Sequence, residues 1–162
     1  MEAVTVDVKS AGQVVVLVEP AVPKSAFAPD ARARAILRGI EYAHADLSDA
    51  GGTYDLNEVR KVMRGIWRQA VDKRVKDGSF LAVPGPSNRR SYPTVQFNRD
   101  GSVVEGLRAL QGALPTRNPW AVLNFLVNPQ DGLGGAKPIE RLRAGAVEDV
   151  LAAARTVGEQ GA

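Results

Sequence analysis

The sequence predicts a mainly α fold that carries two short β-hairpins. Three observations lead to it. Apolar residues recur at helical spacing in segments spread from residue 31 to residue 158. Gly and Pro punctuate those segments where helices start and stop. β-branched and aromatic runs are confined to two pairs, "VTVDV" with "QVVVLV" near the start and "FLAVP" with "SYPTVQF" in the middle.

Taken in order, the first pair is joined around Ser10, Ala11 and Gly12, a turn-like joint that makes a short N-terminal hairpin. "EPAVPKSAFAPD" follows, and its prolines favour an extended linker, so residues 1–29 read as an arm and linker. Asp30 caps a helix through "ARARAILRGIEYAHADL", with a stripe of Ile36, Leu37, Ile40 and Ala33 or Ala43. "SDAGG" ends it. Thr53 or Asp55 caps the next helix, "LNEVRKVM", where Leu56, Val59, Val62 and Met63 recur at helical spacing. Gly65 breaks the chain, and "RQAVDKRVK" forms a helix that stops at Gly78. "FLAVP" and "SYPTVQF" then flank "GPSNRR" as a hairpin, and Asn98 to Gly101 reads as a hinge. Residues 30–100 therefore predict a helix-turn-helix with a small β-hairpin wing.

Residues 101–162 predict a small helical domain. "SVVEGLRALQGAL" is a helix stopped by Pro115, followed by "NPWAVLNFLV", a loop "NPQDGLGGAK", "PIERLRAG" and "AVEDVLAAARTVG". Pro119 and Pro138 suit first helical turns, and Gly145 and Gly158 suit C-terminal caps. Trp120, Leu123, Leu126, Ile139, Leu142, Val147, Val150 and Leu151 supply its core. Burying each such side chain contributes about 1.5–3 kcal/mol.

Composition narrows the function. The chain of 162 residues is 44% hydrophobic and 24% charged, as a globular protein is. Its longest clean aliphatic run, Val14 to Val18, is far too short to cross a bilayer, and the first twenty residues lack the pattern of a secretory signal. There is no cysteine, which excludes disulfides and thiolate metal sites and fits a reducing, cytoplasmic setting. The single histidine, His44, leaves zinc chemistry and histidine-based triads little material. Glu41, Asp46 and Asp49 lie near it in sequence, but such clusters are mostly solvated surface charge. "GLGGAKP" lacks the spacing of a phosphate loop, with Pro138 where a Ser or Thr would hold magnesium. The expectation is a protein that is not an enzyme, with no cofactor and no metal.

The net charge of +3 is modest, but it is unevenly placed. Residues 60–76, "RKVMRGIWRQAVDKRVK", gather seven Lys or Arg with a single Asp. Basic charge on one short element is the footprint of a phosphate-binding surface, or else a solvated helix face. In the helix around 67–77, Ala70, Val71 and Val75 form the inward stripe, leaving Arg68, Gln69, Asp72, Lys73 and Lys76 outward. Arg can pair with guanine, Gln with adenine, and Asp can accept from cytosine N4. Asn88, Arg89 and Arg90 at the hairpin tip suit phosphate or minor-groove contact. These eight residues are the candidate DNA-binding set. The block Thr53 to Phe97, through "LNEVRKVMRGIWRQAVDKRVKDGSFLAV" and "RRSYP", resembles the winged helix-turn-helix regulators of the excisionase and MerR type. It departs from them in the length of the turn and at Trp67, which stands where the family places a small hydroxyl residue to open the recognition helix. The Trp67 ring either stacks under Arg68 or packs into the core.

Residues 118–158, "NPWAVLNFLVNPQDGLGGAKPIERLRAGAVEDVLAAARTVG", resemble the toxin-binding domain of Xre/MbcA/ParS-type antitoxins. The likeness rests on Trp120 and Leu126, Pro129, the Leu133-Gly134-Gly135 turn, Pro138-Ile139, Leu142, Ala144-Gly145 and the Val147, Val150, Leu151 stripe. It implies an antitoxin that blocks a RES-type, NAD-consuming toxin, represses its own operon through operator DNA, and uses Glu140, Arg141 and Arg143 against the toxin. Homo-oligomers suit two-fold operators, and no membrane association is expected. The alternatives are a stand-alone DNA-binding regulator whose C-terminal part only dimerises, and a purely protein-binding antitoxin in which Trp67 has cost the module its DNA affinity.

Overall fold

The computed structural model describes residues 2–8, 12–18 and 30–159. The linker expected over 19–29 and the turn residues 9–11 lie outside them. Contacts divide the chain into two units, residues 1–38 and 39–162.

In the first unit, β1 (Glu2–Val8) and β2 (Gly12–Val18) pair antiparallel, from Glu2 opposite Val18 to Val8 opposite Gly12. The N-terminal hairpin is thus present. The unit also holds the start of α1 (Ala31–Asp49), where Asp30 accepts the Ala33 N–H at 2.7 Å, the cap expected from sequence. The stripe anticipated on α1 lies on one face but is not buried: Ile36, Leu37 and Ile40 are 56%, 49% and 48% exposed. Periodicity marks a helix as amphipathic without supplying what covers its apolar face.

The second unit is mainly helical, with a small three-stranded antiparallel sheet ordered β3-β5-β4. It contains the end of α1, then β3 (Thr53–Tyr54), α2 (Leu56–Val62), α3 (Arg68–Lys76), β4 (Val83–Pro84) and β5 (Arg90–Pro93). The helices α4 (Leu107–Ala113), α5 (Pro119–Val127), α6 (Pro138–Arg143) and α7 (Val147–Glu159) follow. β5 is central, with Tyr54 opposite Tyr92 on one side and Val83 opposite Ser91 on the other. Asp55, not Thr53, caps α2. Its carboxylate accepts the Glu58 N–H at 2.8 Å while Glu58 accepts the Asp55 N–H at 2.8 Å, a reciprocal capping box. Thr53 is instead a strand residue.

Three sequence expectations change. Ser102 to Gly106 are not helical: Val103 pairs with Phe97, and Gly106 takes a left-handed φ of 89° that only then lets α4 begin. Asn98 to Gly101 is no hinge but the tight turn that closes this pairing, with the Asn98 N–H donating to Ser102 O at 2.7 Å. α7 continues through Gly158 to Glu159 rather than capping there. Pro119 and Pro138 do open α5 and α6.

Two apolar clusters build the unit. Val59, Val71, Phe80, Tyr92 and Phe97 fix α2 and α3 against the sheet. Leu81, Val83 and Val95 join Leu107, Leu110, Leu123, Leu126, Ile139, Leu142, Val150 and Leu151 in the other, with Trp120 and Val147 half-buried against it. Hairpin and C-terminal helices share this second cluster. Arg143 ties the same parts together by donating to Val95 O at 2.6 Å.

Two buried polar side chains reinforce the core. Gln96 acts as a substitute strand: its amide accepts the Leu81 N–H at 2.7 Å and donates to Leu81 O and Pro93 O at 2.8 and 3.0 Å. Asp46, near the end of α1, accepts from Asn128 and Asn124 on and after α5, at 2.8 and 3.0 Å.

Candidate nucleic-acid interface

The turn between α2 and α3 is set by backbone and one side chain. Arg64 and Gly65 take positive φ values of 57° and 87°. The Gly65 N–H donates to Arg60 O at 2.6 Å, and the Arg60 guanidinium donates to Ile66 O at 3.0 Å. Trp67 then occupies the N-cap of α3 in an extended conformation, with no side-chain capping bond. Of the two placements considered for its ring, the core is excluded: Trp67 is 75% exposed.

α3 spans the residues the sequence predicted, and it presents the predicted faces. Val71 is fully buried and Ala70 and Val75 partly so, while Arg68, Gln69, Lys73 and Lys76 are exposed and Asp72 is half-exposed. Not every cation of the basic segment is on offer to a ligand. Arg74 lies over the Phe80 ring at 5.3 Å and reaches Met63 Sδ at 4.0 Å, so it serves packing. Arg60 is committed to the turn.

The hairpin carries Asn88, Arg89 and Arg90 beside α3. Ser87 and Asn88 both have φ of 57°, which turns the chain sharply at the tip. Between α3, the start of α2 and the hairpin lies a cleft of about 1060 Å³. Its walls include Arg68, Asp72, Lys76, Asn88, Arg89 and Arg90, six of the eight residues chosen from sequence. Gln69 and Lys73 are exposed on α3 but do not line it. Sequence reasoning missed Asp55, Asn57 and Tyr92 in the same walls. The first two follow from the position of the α2 N-terminus; Tyr92 gave no signal because strand pairing aims it there. Burial pushes the Tyr92 phenol above its ordinary pKa.

The electrostatics are lopsided but not uniform. Arg68, Lys76, Arg89 and Arg90 face the cleft against two carboxylates, Asp55 and Asp72. Asp72 accepts from Arg90 Nη1 at 3.0 Å and lies 3.9 Å from Arg68 Nε. Helix and hairpin are thus joined by an ion pair across the cleft.

The residues expected to meet a toxin lie on α6. Glu140 and Arg141 are exposed at its surface. Arg143 is engaged with Val95. Lys137, before α6, is 4.0 Å from Asp49, and the glycine segment before it is a turn closed by the Gln130–Ala136 pairing. Among the described residues, no group of three or more His, Cys, Asp or Glu is placed to hold a metal ion, and no helix is long and apolar enough to cross a membrane.

No protein-family model matches the chain, and no curated protein matches it. Among solved structures the chain is similar to Rv2175c, determined by NMR, at 24% identity and a TM-score of 0.54. The match covers 65% of this chain and 80% of that one. This likeness speaks to the fold alone.

Proposed function

We propose that the protein is a DNA-binding regulator that reads duplex DNA with α3 in the major groove and the β4–β5 hairpin as a wing on the adjacent backbone. One observation carries the reading: Arg68, Lys76, Asn88, Arg89 and Arg90, which come from two separate elements, converge on one open cleft beside an exposed helix face. α2, braced by its capping box, supports α3 as the first helix of such a motif does. Arg89, Arg90 and Lys76 supply phosphate contacts and hence the salt dependence of affinity; Arg68, Gln69 and Lys73 face base edges.

The test is fluorescence anisotropy on the DNA upstream of the protein's own reading frame and on a scrambled duplex of equal length, across a salt series. Arg89→Ala weakens both duplexes alike and reduces the salt slope by about 1, whereas Arg68→Ala lowers the preference between them by about 1–3 kcal/mol. Absence of any salt-sensitive binding by the wild type removes the proposal.

A second reading adds inhibition of a RES-type toxin by the C-terminal helices. It is supported by the resemblance of residues 118–158 to antitoxin domains and by the exposure of Glu140 and Arg141 on α6. Arg143 is better assigned to holding α6 on the hairpin. Affinity capture from native cells tests it: a stoichiometric NAD-consuming enzyme that is inactive while bound favours it, and recovery of this chain alone favours a self-associating regulator.

A further inference from the structure

Asp72 stands out on the surface assigned to DNA, because it puts a negative charge in the middle of α3 where phosphates would approach. Its geometry gives it a definite task. Its two carboxylate oxygens face two different guanidiniums, Arg90 of the wing at 3.0 Å and Arg68 of its own helix at 3.9 Å. All three side chains line the same cleft, and all remain open to solvent, with Asp72 47%, Arg90 54% and Arg68 73% exposed. Arg90 is eighteen residues away in sequence, so the pair is a tertiary contact between helix and wing. Exposed pairs of this kind add little to stability, so holding the fold together does not account for it.

We propose that Asp72 is an internal competitor for DNA phosphate, holding Arg90 and Arg68 in the free protein and so restraining binding to DNA of arbitrary sequence. The inference rests on the DNA-binding reading above. A phosphate that approaches the cleft must displace the carboxylate from Arg90 and then sits beside an uncompensated negative charge. Base edges that present only acceptors, such as guanine N7 and O6, are repelled in the same way. A donor edge is not: the N4 amine of cytosine gives the carboxylate a hydrogen bond as Arg90 leaves it for the backbone and Arg68 for a neighbouring base edge. The charge is therefore tolerated opposite one kind of edge and penalised opposite the others. This is specificity obtained by disfavouring the wrong partner.

The experiment measures the affinity of the full chain for a mixed-sequence duplex of about two helical turns, by anisotropy over a salt series. Wild type, Asp72→Asn, Asp72→Ser, Arg90→Gln and the Asp72→Asn/Arg90→Gln double variant are compared, each checked for wild-type circular dichroism. The expected result is that both Asp72 variants bind the mixed duplex several-fold more tightly, with a salt slope steeper by roughly 1–2 as one or two more phosphate contacts form. In the Arg90→Gln background the gain from Asp72→Asn shrinks by more than half, because the guanidinium that Asp72 withholds is gone. Unchanged or weaker binding by both Asp72 variants, while the wild type retains salt-sensitive binding, overturns the inference and leaves the DNA reading standing. An equal gain with and without Arg90 overturns it too, since Asp72 then acts only as a local charge. No salt-sensitive binding by wild type or any variant removes the DNA reading and this inference with it.

Discussion

Replacing Gln96 by Met tests how far the hairpin depends on one buried amide. Gln96 is fully buried, and its amide makes three hydrogen bonds to the Leu81 N–H, Leu81 O and Pro93 O at 2.7, 2.8 and 3.0 Å. Leu81 is itself only 1% exposed. Methionine has nearly the same volume, so packing is largely kept and the hydrogen-bond term is isolated. Three buried backbone groups lose their partner, and each orphaned group costs roughly 1–3 kcal/mol, the N–H at the upper end and the two carbonyls at the lower. The total expected loss is about 3–5 kcal/mol, a large share of the ~5–15 kcal/mol that stabilises a typical native protein. In a chain of this size that lowers the unfolding midpoint by about 6–20 °C. Urea unfolding followed by circular dichroism gives the free energy, and the comparison with Gln96→Ala adds the cavity term. A loss below about 1 kcal/mol for Gln96→Met would refute the reasoning, because solvent or a relaxed backbone would then be replacing the amide.

Further outcomes follow from other residues. Asp46→Ala removes the acceptor that Asn124 and Asn128 share, and should lower stability by about 1–3 kcal/mol in the same urea assay. Trp67→Ser should raise it by up to about 1 kcal/mol, since a hydroxyl can cap α3 where the exposed ring does not, and the thermal midpoint of the free protein reads this. Hydrogen bonds from the Ser79 side chain, then from its N–H, hold the Asp77 carboxyl below its ordinary pKa. A group depressed in the folded state stabilises it above the unfolded pKa of about 3.9 and loses that effect as pH falls through the folded value. NMR titration should therefore show Asp77 protonating at higher pH in Ser79→Ala than in the wild type.

Local chemistry made α2 and α3 legible. The Asp55–Glu58 spacing is a helix start written in four residues, Gly65 a break, and the inward Val71 and Val75 leave little choice of face. The hairpin was legible because turn residues separate two β-rich runs. Two-residue β3 was not, since Thr53 and Tyr54 become a strand only by pairing with β5 across the fold. Val103, Val104 and Leu107 have helical spacing, yet the pairing of Val103 with Phe97 overrides it. Apart from the Gln96 bond to nearby Pro93, the buried roles of Gln96 and Asp46 rest on partners 15 to 82 residues away. The same limit applies to the site: its residues were readable one by one, but the pairing of Asp72 with Arg90 was not.

Trp67 and Asp72 bear on one question, why α3 is built as it is. A helix shaped for stability alone would carry Ser, Thr, Asp or Asn at the N-cap, and a tryptophan left 75% exposed recovers little of what the missing cap costs. The turn tolerates this because its geometry comes from elsewhere, through Arg60 gripping Ile66 O and Gly65 donating to Arg60 O. Val71, fully buried, then fixes the helix from its inner face. With its start and its inner face secured independently, the outer side chains of α3 are free of structural duty. Local rules are most often broken where a surface answers to something other than folding. On α3 the carboxylate set among arginines lies on the face proposed to meet DNA, and the uncapped, exposed tryptophan stands at the start of the same helix, while the capped and apolar positions of α2 and α3 follow the rules.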